Sequence, residues 1–189
     1  MSRRRTGLTA ILLTGVLLAV AFTLRLTQPS DEELQGPFVT FARFAEQVEG
    51  RNLTWIAEDA YLADRVTALG WSGETDGVWL VVTGTIGSKL GVTSPDVSLR
   101  IGDRRYMASD RPDAAALGGS LRAGLPQSGA FVFELPRSAL EGPDARSATA
   151  RFATGFRVRL DSAIDMVLDL TALEHRSTAA LPPPGEVIP

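Results

Sequence analysis

Val78–Ile86 reads VWLVVTGTI, with apolar side chains on both parities at its start. That pattern predicts a strand covered on both faces, in the middle of a sheet. Gly84 inside it marks a bulge or a close neighbour. Elsewhere the alternation is one-sided. Leu53, Trp55 and Ala57 alternate with Thr54, Ile56 and Glu58, and Tyr61–Ala68 continues that strand toward a sheet edge. Phe131, Phe133 and Leu135 share a face until Pro136 ends the run, and Ser147–Phe152 adds a short strand. Val97–Ala108 predicts a hairpin about Gly102-Asp103, a favoured two-residue turn that sets Leu99 opposite Tyr106 and Val97 opposite Ala108. Phe156–Leu170 alternates throughout, but as one strand it would reach roughly 50 Å against a usual 17–20 Å. A break near Asp161-Ser162 is expected, and pairing of the halves would set the arginines Arg157 and Arg159 against the aspartates. Gly70–Gly77 (GWSGETDG) predicts a loop, and Ala114–Pro126 is loose and rich in Ala and Gly. Pro37–Glu49 is ambiguous: Phe38, Phe41 and Phe44 recur at helical spacing, while Val39, Thr40 and Phe41 favour strand. A short helix or an irregular lead-in is expected there. Seven or eight short strands with almost no helical periodicity predict an all-β, immunoglobulin-like β-sandwich over residues 50–175.

One stretch stands outside this pattern. Gly7–Leu24 (GLTAILLTGVLLAVAFTL) carries no charge and follows Arg3, Arg4 and Arg5. At about 1.5 Å per residue its helix would reach about 27 Å, close to the hydrocarbon thickness of a bilayer. The arginines lie before it, while Asp31, Glu32 and Glu33 lie after it, which predicts a cytoplasmic N-terminus. Ala19-Val20-Ala21 has the form of a signal-peptidase site, but Phe22, Thr23 and Leu24 carry the apolar run past it, which favours a retained anchor over a cleaved signal. The expected organisation is a basic cytoplasmic tail (1–6), a single-pass transmembrane helix (7–24), a juxtamembrane linker (25–49), the sandwich (50–175) and a disordered Pro-rich tail (176–189), since LPPPGEVIP offers little to pack. The domain is then extracytoplasmic.

Charge and cysteine content narrow the function classes. The net charge is −3, from 19 Lys and Arg against 22 Asp and Glu. Setting aside Arg3, Arg4, Arg5 and Arg25 leaves 15 basic residues against 22 acidic beyond the span, so no nucleic-acid partner is expected. There is no cysteine, hence no disulfide, thiolate metal site or acylated anchor. About 140 residues suffice for a core without such staples.

A series of short motifs runs in order along the domain: Gly50-Arg51-Asn52, Tyr61-Leu62-Ala63-Asp64-Arg65-Val66, Gly77-Val78-Trp79-Leu80-Val81-Val82, Arg100-Ile101-Gly102-Asp103-Arg104, Ser109-Asp110-Arg111-Pro112, Phe133-Glu134-Leu135-Pro136 and Leu160-Asp161-Ser162. In this order, over roughly residues 50–173, the chain resembles the membrane-anchored, immunoglobulin-like extracytoplasmic domains of unknown function of Gram-positive bacteria, actinobacteria especially. The resemblance implies a β-sandwich outside the cell membrane and brings no catalytic residue to transfer.

Candidate chemistry is sparse. His175, the single histidine, follows the last predicted strand and reads as a solvated tail residue rather than a base held between partners. Asp161, Asp165 and Asp169, four apart, would lie in a row along a solvated strand face instead of converging on a cation. Trp55 and Trp79 fall on strands and are expected in the core. Trp71, in the predicted loop, is the exposed-aromatic candidate, and Asp110 and Arg111 share the turn before Pro112 and Asp113. Trp71, Asp110 and Arg111 form the candidate binding surface, with no catalytic, cofactor or metal residue expected. The sequence therefore points to a non-enzymatic envelope module whose partners are the membrane and another envelope or membrane protein. The alternatives are a small-ligand or cation-sensing receptor and, behind it, an envelope hydrolase.

Overall fold

The computed structural model describes residues 2–27, 35–113, 116–155, 158 and 160–187. They fall into two units, Met1–Gly36 and Pro37–Pro189.

The first unit is the helix α1, Ser2–Thr27. Its leucines and alanines favour helix, and the Thr23 hydroxyl donates back to the Ala19 carbonyl at 2.6 Å. Among the described residues no helix is long and apolar enough to cross a membrane. The helix expected over Gly7–Leu24 lies within α1. The linker expected over 25–49 falls partly on residues 28–34, outside the described residues.

The second unit is a β-sandwich. Its strands are β1 (Phe38–Ala42), β2 (Gln47–Glu49), β3 (Leu53–Ala68), β4 (Trp71–Ser88), β5 (Asp96–Ile101), β6 (Arg104–Met107), β7 (Gln127–Leu135), β8 (Ala148–Ala153), β9 (Ser162–Leu168), β10 (Glu174–Ala180) and β11 (Gly185–Glu186). One sheet has the order β1-β9-β8-β5-β6. The other runs β10-β3-β4-β7-β11, with β2 also paired to β3. The two meet through Trp55 of β3 and Phe152 of β8, whose rings stack at 4.3 Å, with Phe131 of β7 completing the group at 5.8 and 5.7 Å. Leu62, Leu80, Phe133, Leu99, Ile164 and Met166 fill the remaining interior.

Several expected features stand. β4 lies between β3 and β7. Trp79 and Val81 on its outer face are as buried as Val78 and Leu80 on its inner one, which explains the two-sided apolar run. At Gly84 a Cβ would press on the Ile56 carbonyl and the Trp55 ring, so the close neighbour is real. The hairpin pairs Leu99 with Tyr106, turns at Gly102 (φ 56°) and closes with Ala108 N–H donating to Val97 at 2.9 Å. β9 begins at Ser162, at the expected break, where the Asp161 carboxylate accepts from the Ser162 N–H at 2.8 Å. Arg157 and Arg159 lie outside the described residues.

Four expectations fail. Residues 37–49 are neither helix nor linker but β1 and β2: β1 pairs in parallel with β9, and β2 with β3. Gly70–Gly77 is not a loop, because β3 turns into β4 at Leu69 and Gly70 and pairing resumes with Ala68 opposite Trp71. The segment from 176 onward is not a free tail. β10 pairs in parallel with β3, Leu181 is buried and donates to the Thr67 carbonyl at 2.8 Å, and β11 pairs with β7. The aspartate row does not exist. Asp165 is 4% exposed and held in a two-point ion pair by Arg151 of the neighbouring strand, both bonds at 2.7 Å. Asp169 instead caps the turn at Thr171. The first and third share a reason: strand ladders supply backbone partners along a sheet edge, whatever the side-chain pattern.

Candidate functional site

After β6 the chain must cross from the first sheet to the second. Ser109 N–H donates to the Val132 carbonyl at 2.7 Å and Leu117 N–H to the Ala130 carbonyl at 2.8 Å, which ties both ends of this crossing to the stretch of β7 beyond its pairing with β11. Between them the chain makes a tight turn, Asp113 N–H to Asp110 carbonyl at 2.9 Å, with Asp113 in the left-handed region at φ 47°. The turn sends its side chains to opposite sides of β7.

On one side it walls a cleft of about 580 Å³ at the mouth of the sandwich, where the ends of β5 and β6 face β7. Asp96, Met107, Asp110, Asp113, Leu117 and Phe131 line it, with Gly118 and Gly119 at the rim. Burial pushes the Asp96 carboxyl above its ordinary range, with Arg105 pulling the other way. Asp110 and Asp113 are exposed. Among the described residues no group of acids and histidine is arranged to hold a metal ion.

On the other side Arg111 crosses the outer face of β4 and β7. It donates to Glu134 at 2.8 Å and to the Glu74 carbonyl at 3.3 Å, and its guanidinium stands 5.2 Å from the Trp79 ring. Ser109 hydroxyl donates to the same Glu134 carboxylate at 3.0 Å. Trp71 meets Trp79 edge-on at 6.0 Å. Ala63, Val81, Val132, Ala179 and Leu181 complete this outer cluster. Farther along, Arg176 lies 3.7 Å over the Tyr61 ring, and Asp64 is bonded by Arg137 at 3.0 Å and His175 at 3.2 Å. The Arg137 bond, more than any other influence, lowers the Asp64 carboxyl.

The three residues expected to form a binding surface are therefore divided. Trp71 and Arg111 converge on one indole, Trp79, and close the outer face of the sheet. Arg111 donates to Glu134 and Glu74 while its side chain stays 45% exposed. Asp110 alone faces the cleft. Trp71 is half-buried rather than a loop aromatic, and its free edge borders a shallow recess with Leu69, Leu181 and Pro183. His175 sits on β10, not in a tail. Asp96 and Met107 were missed, although the hairpin register contained them: with Val97 opposite Ala108, Asp96 must meet the Ser109-Asp110 end.

No family model matches the chain, and no curated protein does. Crystal structures resemble the domain at low identity. The yjhA protein of Bacillus subtilis is 14% identical, covering 66% of this chain and 98% of its own, with a TM-score of 0.44. An uncharacterized β-sandwich protein of Clostridium difficile 630 is 7% identical over 75% and 99%, with a TM-score of 0.48. The secreted protein MPT63 of Mycobacterium tuberculosis is 14% identical over 69% and 98%, with a TM-score of 0.46. At these scores the likenesses carry no conclusion about the chemistry of this chain.

Proposed function

We propose that the chain is a non-enzymatic extracytoplasmic module held at the cell membrane, presenting its sandwich to another envelope or membrane protein. The observation that carries the reading is the division of the polar side chains from the interior. Trp55, Phe131 and Phe152 fill the space between the sheets. Polar groups on the second sheet pair with one another, as Arg111 does with Glu134 and, farther along, Arg176 with Glu174. The uncharged run Gly7–Leu24, read at its full length with Arg3–Arg5 before it, supports the anchor and a cytoplasmic N-terminus. Protease added to intact spheroplasts should remove the sandwich and leave a membrane-embedded fragment. Recovery of the domain as soluble protein, with its N-terminus near Phe22, would replace the anchor by a cleaved signal. Crosslinking in intact cells should then capture one protein partner reproducibly.

A second reading, a receptor for a small ligand or cation, draws on one feature: the half-buried Asp96 carboxyl in a cleft of ligand size. Asp96→Asn should abolish binding of such a ligand and leave partner crosslinking intact.

A further inference from the structure

We infer that β1 and its neighbours form an apolar keel that inserts into the lipid headgroup–acyl boundary, so that the domain is seated on the membrane rather than merely tethered to it. The inference rests on the anchor reading above. β1 is the edge strand of its sheet, and of its residues only Ala42 is buried. Phe38 and Phe41 are 69% and 66% exposed. They pair in register with Ser162 and Asp165, three positions apart, so they stand on opposite faces of the ribbon. Leu160 adjoins Phe38, whose N–H donates to Asp161 at 2.8 Å; it is exposed and held in the left-handed region at φ 51°, an unfavourable conformation for a leucine. Phe44 is exposed just beyond the strand.

Phe38, Phe41 and Leu160 at one sheet edge, with Phe44 where the chain crosses to β3, exceed the scattered exposure normal for a soluble surface. Their two-sided display selects the occupant. A rigid protein face could cover one side of the ribbon, whereas a fluid interface closes around both. Arg43 is exposed next to Phe44, and the exposed Arg51, 3.8 Å from the Asp161 carboxylate, stands by the Phe38 end; exposed cations of this kind suit lipid phosphates around interfacial aromatics.

The absence of cysteine makes the test direct, because one introduced cysteine carries one dye. Full-length Phe38→Cys, Phe41→Cys, Ser72→Cys and Leu17→Cys proteins are labelled with an environment-sensitive fluorophore. They are reconstituted in vesicles of phosphatidylcholine and phosphatidylglycerol, with nitroxide-bearing lipid or with aqueous iodide as quencher. Ser72 of β4 pairs with Thr67 near the end of β3, roughly 30 Å along that strand from the Ala57 that bridges to Phe44. Labels at 38 and 41 should be quenched by shallow nitroxide and shielded from iodide about threefold or more relative to the label at 72. The label at 17 should respond to deep nitroxide. If 17 responds and 41 remains as open to iodide as 72, the keel is wrong and the anchor stands. If 41 responds and 17 does not, the keel stands without the anchor. Shielding of 41 from iodide without any lipid quenching would mean protein covers it, and overturns the inference.

Discussion

Trp79 is the residue on which the outer face of the second sheet depends. It is fully buried, touches Trp71 and lies beneath Arg111. Trp79→Ala should lower stability by about 3–5 kcal/mol in a urea titration, a large share of the 5–15 kcal/mol that holds most domains. Trp71→Ala removes an edge contact and a half-buried ring, for which about 1–2 kcal/mol is expected. A loop aromatic free in solvent would lose less, so the size of the second number checks its place on β4. Asp96 gives a prediction of opposite sign. Its carboxyl is raised by burial, so the folded state prefers the protonated form. Stability from this group is present in acid, below the ordinary carboxylate range, and is lost as pH rises through the raised value. Asp96→Asn should therefore raise the urea midpoint at pH 7, and the gain should vanish in acid. A loss at pH 7 would mean that the carboxylate is favourably held in the cleft.

β8 and β9 are joined by a group that water does not reach on one side. Asp165 is buried and Arg151 is partly open. Arg151→Ala should cost about 3 kcal/mol, at the lower end for a buried pair because water reaches the arginine side. Replacing both residues by apolar ones should lose less than that single change, as measured by the same titration. At this scale the pattern of the chain was a good guide wherever strands bury one face. The Val97–Ala108 register followed from a two-residue turn, and β4 followed from apolar residues on both parities. β10 was invisible because EHRSTAA buries little besides Ala179, so it shows no alternation. β1 was obscured by the reverse effect: its phenylalanines face solvent, and their spacing of three imitates a helix. The Leu69-Gly70 turn was hidden by a richer glycine cluster downstream, Gly73 and Gly77. There the missing side chains make room for the Trp71 ring and the Leu135 carbonyl instead of making a turn. The same displacement moved Trp71 from loop to strand. Asp110 was found because turn chemistry is local. Asp96 was not, because its burial arises only when two sheets meet.

For the molecule as a whole, the C-terminal segment decides where the domain ends. A fragment of residues 37–175 would lack most of β10 and all of Leu181 and would leave Tyr61, Ala63 and Val66 without cover on that flank. A fragment of residues 37–187 keeps them. The longer fragment should fold as a β-rich monomer by circular dichroism and sedimentation. The shorter should unfold at markedly lower urea or aggregate through the bare edge of β3. Equal stability of the two would show that β10 is dispensable.

The two parallel pairings, β1 with β9 and β10 with β3, impose an order on assembly. Phe38 finds Ser162, and Thr67 finds Ala180, across most of the chain. Contacts between such distant partners form late and make folding slow. A nascent chain emerging end first, from a ribosome or through a membrane, can make the β3–β4 and β5–β6 hairpins early. It can close the first sheet only once Leu168 is free, and cover the flank of β3 in the second only once Ala180 is. Until then the flank of β3 stays unpaired, and a chaperone that masks it would find its substrate in every newly made copy.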